Sequence, residues 1–413
     1  MKALAKRFLT RHGPAWVLPI YRYFRSSVLW PATHALGDLL RRLPGTSRKF
    51  GPPRHRVGTL AECVAANPGT PPSSASNHQG NRDSSFCASC SASYVQLRPG
   101  KLIDLPPHFC ESPLFTPAVG VASIPNGRVL TTSGTVITPD DCLVEEVAPK
   151  ALNRKDSTGS AVFFSPKLPH LRQIKGTIAV LTMVWSSNYY HFLFDTLPRL
   201  RLLENSNARW DKIVLPCSLP FQKQILDLLS LTRDRIIGEP GLHLEAETLI
   251  VPTLPGEPSG WVCSFLRERF LSGVSVGRGP SRRIYISRAK AGSRRVLNEA
   301  ELVRALEVEG FEAFLLEDLT FLDQVRLFRD AEIIVGAHGS GLANLVFCAP
   351  GTRVVELFGA DCVPPCYWLL SNEIGASYRY VIGGAMRLPW YARLNQVAGD
   401  IMIDVPKVMA EII

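Results

Sequence analysis

The chain has 413 residues, 46% of them hydrophobic and 20% charged, the balance of a globular protein long enough for two domains and extensions. Its formal net charge is +10, yet residues 1 to 60 hold twelve Lys and Arg against a single acid, Asp38, and so account for +11 by themselves. The rest of the chain is close to neutral, which argues against a basic face for nucleic acid.

The basic segment, "MKALAKRFLTRHGPAWVLPIYRYFRSSVLWPATHALGDLLRRLPG", mixes its cations with Trp16, Tyr21, Tyr23, Phe24 and Trp30. Charges interrupt its apolar runs well short of the roughly 20 residues that a spanning helix needs. No unbroken h-region with a small-residue cleavage site follows, so a secretory leader is not expected. Residues 1–66 are expected to form an amphipathic extension lying on an anionic membrane surface. A basic helical hairpin packed on the body, or a partner-binding tail, would have the same composition. Residues 67–93, "NPGTPPSSASNHQGNRDSSFCASCSAS", are too poor in aliphatic side chains to order themselves and read as a linker.

Ten cysteines are spread from Cys63 to Cys366, and only Cys87 and Cys90 have metal-like spacing. Without a second such pair no zinc site is expected. No N-x-S/T sequon occurs. Reduced thiols and a cytoplasmic location, peripheral on the inner face of a bacterial membrane, are the expectation.

Beyond the linker, "GRVLTTSGTVIT" has the short alternating runs of antiparallel strands. From about residue 178 the period changes. "TIAVLTM" and "KIVLP" are expected strands, and "YYHFLFDTLPRLRLLEN" and "FQKQILDLLS" expected helices. "RRIYIS", "FEAFLLE", "EIIVGA", "RVVELF" and "YRYVIG" follow as five strands with helical stretches between them. This alternation implies a mostly parallel sheet covered on both faces, with ligands at the carboxyl ends of its strands.

Chemistry-bearing residues cluster at those ends. "GAHGSGLAN", residues 336–344, joins an expected strand to a helix starting near Leu342, and its glycines bring backbone amides close to an anion. Its plainer reading is a β-to-α turn packed on glycine. After "RRIYIS" come Arg288, Lys290, Arg294 and Arg295, whose forked guanidiniums suit phosphate. Asn298 and Glu301 have capping-box spacing, so Asn298 is either a helix cap or a ligand contact. His191 and Asp195 stand four apart on one expected helix, where a carboxylate can orient a general base. Arg199, four further on, offers Asp195 a surface ion pair instead.

"NYYHFLFDTLPRL", "IYISRAKAGSRRVLNEAEL" and "IVGAHGSGLANLVFCAPGTRVVELF" together resemble the three blocks of the glycosyltransferase family 61 proteins, often described in bacteria as capsular polysaccharide biosynthesis proteins. The resemblance covers about residues 178–360. It implies an α/β, GT-B-like fold, two Rossmann-like domains facing across a cleft, behind the basic N-terminal extension. The domains would be an acceptor-side unit at 94–277 and a nucleotide-sugar-binding unit at 278–413. The reaction implied is inverting transfer from a nucleotide sugar, UDP-linked, to a glycan or lipid-linked acceptor in surface polysaccharide synthesis, with no cofactor. His191 and Asp195 take the catalytic positions. Arg288, Arg295, Asn298, Glu299, His338, Gly339, Gly341 and Asn344 take the donor-binding ones, and Glu356 sits where GT-B enzymes place an acid for the ribose hydroxyls. Ser340 and Ala343 depart mildly from the family pattern. No Asp-x-Asp occurs in the chain, Asp140 and Asp141 being adjacent, so no metal is expected. A nucleotide-sugar epimerase of the same fold, or a non-catalytic polysaccharide-assembly scaffold, would share much of this pattern.

Overall fold

Apart from isolated positions, the computed structural model describes residues 55–65, 93–99, 101–103, 114–148, 168–272, 279–359, 363–385 and 399–412. The basic segment before residue 53 and the linker lie outside the described residues, as do Cys87 and Cys90. The expected extension nevertheless ends inside the fold. Strand His55–Val57 pairs in parallel with Cys142–Val144, and helix Leu60–Ala65 buries Leu60 and Cys63 completely. Composition alone could not see this, because the segment's cations precede its apolar anchor.

The N-terminal half is built on a ten-stranded mixed sheet. At its centre, strand Leu171–Val180 lies parallel to His243–Pro252 on one side and to Lys212–Val214 on the other. Helices Arg199–Asn205 and Pro220–Leu228 make the crossovers, as the 3.6-residue apolar period predicts. The antiparallel strands Arg128–Leu130 and Thr135–Ile137 account for the alternating run before residue 138.

The C-terminal half is a five-stranded, wholly parallel sheet. From one edge its strands are Phe311–Phe314, Arg282–Ile286, Ala331–Ala337, Arg353–Phe358 and Ser377–Ile382. In chain order this is 2-1-3-4-5, a doubly wound arrangement. The chain leaves the first strand towards one edge and the third towards the other. A crevice therefore opens at the carboxyl ends of Arg282–Ile286 and Ala331–Ala337, where such sheets bind ligands. Both glycine turn and basic run begin there.

Two expected helices differ in kind. The stretch from Tyr189 to Asn205 is broken into a helical turn Tyr189–His191, a π turn Phe192–Thr196 and helix Arg199–Asn205. Pro198 has no N–H to continue the ladder, and the wide turn closes through Leu197 N–H to the carbonyl of Phe192 at 2.9 Å. After the glycine turn, Ser340–Phe347 winds as a 3₁₀ helix, two residues earlier than expected. One apolar cluster, including Phe192, Phe194, Ile250, Ile284, Phe321, Leu342 and Tyr367, runs through both halves. The halves meet on shared core, and the site lies at its polar margin.

Candidate active site

The wide turn after His191 sets up the first constellation. His191 Nδ1 lies 2.6 Å from Asp195 Oδ2. Asp195 is 14% exposed and His191 34%, so the imidazole meets solvent while its partner is largely enclosed. Burial raises the Asp195 pKa above the usual carboxylate value, and the bond from His191 offsets part of that rise. With Nδ1 committed to the carboxylate, Nε2 faces outward, with no hydrogen-bond partner among the described residues. That is the arrangement of an oriented base.

The expected alternative, a surface pair between Asp195 and Arg199, is not formed. Arg199 is buried and donates to the carbonyls of Leu181 at 2.8 Å, Thr182 at 3.3 Å and Pro252 at 3.2 Å. Desolvation lowers its pKa to about 9. It ties the turn to two strand ends and leaves Asp195 to His191.

The turn before His191 is docked on the glycine-rich segment of the other half. Asn188 caps the helical turn by accepting from Tyr190 N–H at 3.0 Å, and the same oxygen accepts from Ser340 Oγ at 3.1 Å. Tyr189 donates to Asn344 Oδ1 at 2.7 Å. Asn344 is fully buried, and its amide donates to Gln324 at 2.9 Å and to the Gly341 carbonyl at 3.0 Å. Its side chain is a strut between the halves, with every polar atom engaged.

The glycines act by close approach. Gly339 has extended backbone with φ 176°, but a Cβ there would lie 1.8 Å from an Arg288 guanidinium nitrogen. A Cβ at Gly341 would meet Leu316 at 2.8 Å. Arg288 is held against the turn through its other nitrogens, which donate to the carbonyls of Ser293 at 2.9 Å and Arg294 at 3.2 Å. Arg294 comes alongside because its backbone is left-handed, φ 57°, a conformation costly for a residue with a Cβ. Its Nε is buried without a hydrogen-bond partner. Burial, and then Arg294, depress the Arg288 pKa. Neither guanidinium has an ion-paired carboxylate among the described residues. Two half-buried like charges lacking counter-ions are a site for an anion.

The remaining expected donor residues sit apart from this pair. Arg295 is exposed and bonded to Asp400 at 2.6 and 3.1 Å, fastening the C-terminal segment. Asn298 does not cap its helix. Its amide exchanges hydrogen bonds with the backbone of Ile403 at 2.8 and 3.0 Å, just past the short strand Ile401–Met402. Glu299 accepts from Tyr285 and Ser287, both at 2.9 Å, behind the basic loop. Glu356 is fully buried, with one oxygen 2.5 Å from His338 Nδ1 and the other accepting from Tyr378 at 2.6 Å. Complete burial, with both oxygens already bonded, closes Glu356 to ribose hydroxyls in this structure.

Residues 189–355 match the model of the family described as Glycosyltransferase 61, a span that opens at Tyr189 and takes in His191, Arg288, Arg294 and His338. Over that segment, less than half of its length, the chain is similar to glycosyltransferase family 61. An EGF domain-specific O-linked N-acetylglucosamine transferase of Pan troglodytes is 37% identical over 90 residues, 21% of this chain and 17% of the relative. A protein O-linked-mannose beta-1,4-N-acetylglucosaminyltransferase 2 of Bos taurus is 40% identical over 108 residues, 25% and 18% of the two chains. A beta-1,2-xylosyltransferase of Arabidopsis thaliana is 36% identical over 64 residues, 16% and 12%. Each of these matches spans less than a fifth of the relative's own length.

Within the family 61 segment, the expected site residues His191, Asp195, Arg288 and His338 come to one margin between the sheets. Arg294 stands in the sequence only as one of a basic run, beside Arg295 at the expected donor position. The left-handed backbone that turns Arg294 inward leaves no mark in a run of arginines. Asn188, Tyr189 and Tyr367, which join the two halves, carry no charge signal. Tyr367 donates to the Gly339 carbonyl at 2.7 Å and so fixes the turn.

Proposed function

We propose that this chain is an inverting, metal-independent glycosyltransferase of GT-B arrangement. It moves a sugar from a nucleotide diphosphate donor, UDP-linked, to a glycan or lipid-linked acceptor in surface polysaccharide synthesis. The observation that carries the reading is Arg288 against the Cβ-less face of Gly339, with Arg294 beside it and neither ion-paired to a carboxylate among the described residues. That face is two steps from His191: Ser340 bonds Asn188, which caps the turn carrying the imidazole.

In this reading His191 Nε2 takes the acceptor hydroxyl proton while Asp195 fixes the ring through Nδ1. The acceptor oxygen attacks the anomeric carbon from the face opposite the diphosphate. The departing charge develops beside two guanidiniums already in place, which stabilises it more than mobile water would. The names of the relatives point to N-acetylglucosamine and xylose as the donor sugars to try first.

The test is thermal unfolding of the purified protein against UDP-, GDP-, CMP- and dTDP-sugars. A donor at a hundred times its dissociation constant should stabilise by about 2.7 kcal/mol. If no nucleotide sugar raises the melting temperature, the reading fails. The surface role rests on the twelve cations and interleaved aromatics of residues 1 to 60. The protein should bind anionic vesicles at low salt and release them as salt screens the charge. Indifference to such vesicles would remove that part of the reading.

A further inference from the structure

The site holds a second imidazole–carboxylate pair. His338 Nδ1 is 2.5 Å from Glu356 Oε1, the same atom-to-atom arrangement as His191 with Asp195, but here on the donor side. Glu356 is completely buried, whereas Asp195 keeps an edge in solvent. Its second oxygen is closed by the hydroxyl of Tyr378, from the neighbouring parallel strand. The His338 ring is stacked on Phe358 with centroids 5.4 Å apart, and flanked by Tyr367 at the same separation. Three contacts therefore fix the plane of the ring, and its Nε2 is left without a hydrogen-bond partner among the described residues. A helix cap or a packing histidine would not need a buried anion of its own, since leaving a carboxylate out of water is costly unless it serves a charged partner.

We propose that His338 is the proton donor to the leaving phosphate, with Glu356 and Tyr378 as its positioning residues. The inference rests on the donor-site reading above. As the bond between the anomeric carbon and the phosphate oxygen breaks, its electron pair stays on that oxygen, which takes the Nε2 proton of His338. The acceptor oxygen forms the new bond to the same carbon, and its proton goes to His191. One proton has left His338 and one has arrived at His191, and both exchange with water before the next turnover. The other groups facing the ring suit this exchange. Glu356 brings the balancing negative charge, and burial keeps the hydroxyls of Tyr367 and Tyr378 protonated. The assignment also explains why Glu356 is fully enclosed.

The test is calorimetric titration of UDP into the full chain near neutral pH, in buffers of different ionisation heat, which counts protons taken up on binding. Wild type should take up a fraction of a proton as the phosphates recruit the protonated form of His338. His338→Asn should abolish that uptake while still binding UDP, and Glu356→Gln should reduce it. Tyr378→Phe, which removes one hydroxyl, gives the same comparison with less disturbance should the buried glutamine prevent folding. A purely structural role for the pair would weaken binding or stability without changing the proton count. Equal uptake in wild type and His338→Asn overturns the proposal while leaving the donor site standing. Failure of wild type to bind UDP overturns both.

Discussion

At the scale of single residues, the proposed base and the proposed binding site are separate groups. His191 is bonded to Asp195 rather than to the Arg288–Arg294 pair and in the proposed reaction serves the acceptor, so His191→Ala should lower turnover by about 10²- to 10⁴-fold, the usual contribution of a general base. Nucleotide affinity should change little. Asp195→Asn should act in the same direction, because an amide can present its N–H to Nδ1 and hold the wrong tautomer. Steady-state turnover beside UDP calorimetry checks both. A His191→Ala protein that loses UDP binding but keeps turnover at saturating donor would reverse the roles.

At the scale of elements, sequence period located nearly every strand and helix of residues 171–382, because burying one face of a helix or both faces of a central strand leaves a strong pattern. It could not show what happens where backbone conformation departs from the average. The π turn that aims His191 at Asp195, the 3₁₀ winding after Gly339 and the left-handed Arg294 all depend on contacts between distant segments. For the same reason Asn298 and Arg295 look available in the sequence but are used by Asp400 and Ile403, more than a hundred residues away. Gly339 gives the sharpest element-level prediction. Its φ suits any residue, so Gly339→Ala should fold, but the added methyl must displace the Arg288 guanidinium. UDP affinity should fall by roughly the value of a charge-assisted contact, about 1.5 to 3 kcal/mol, with a much smaller loss of thermal stability. Unchanged affinity in this variant would mean that Arg288 does not face the ligand.

At the scale of the whole molecule, stability and function draw on different groups, and pH should tell them apart. His243 is fully buried at the start of a central strand, with Nδ1 3.2 Å from the Pro169 carbonyl and Nε2 unpartnered. Burial, with Arg128 nearby, lowers its pKa to about 4. Between that value and the ordinary 6.5 the unfolded chain binds the proton and the folded chain does not, so stability falls as pH falls through this window. The loss is on the order of 2 to 3 kcal/mol by pH 4. Urea unfolding at pH 7 and pH 4.5 should show it, and His243→Gln should flatten the difference. An equal difference in both proteins would assign the acid sensitivity elsewhere.

The shared apolar cluster joins the two halves, and the proposed donor site at its margin is one that two arginines would complete without a metal. The most direct test of that claim is calorimetric titration of UDP in EDTA into wild type, Arg295→Ala and the double variant Arg288→Ala/Arg294→Ala. Wild type should bind, and Arg295→Ala should bind almost as well, because its exposed pair with Asp400 is worth no more than about 1 kcal/mol and lies away from the turn. The double variant should bind at least about a hundredfold more weakly. Binding that requires added manganese or magnesium, or that survives in the double variant, would contradict the account.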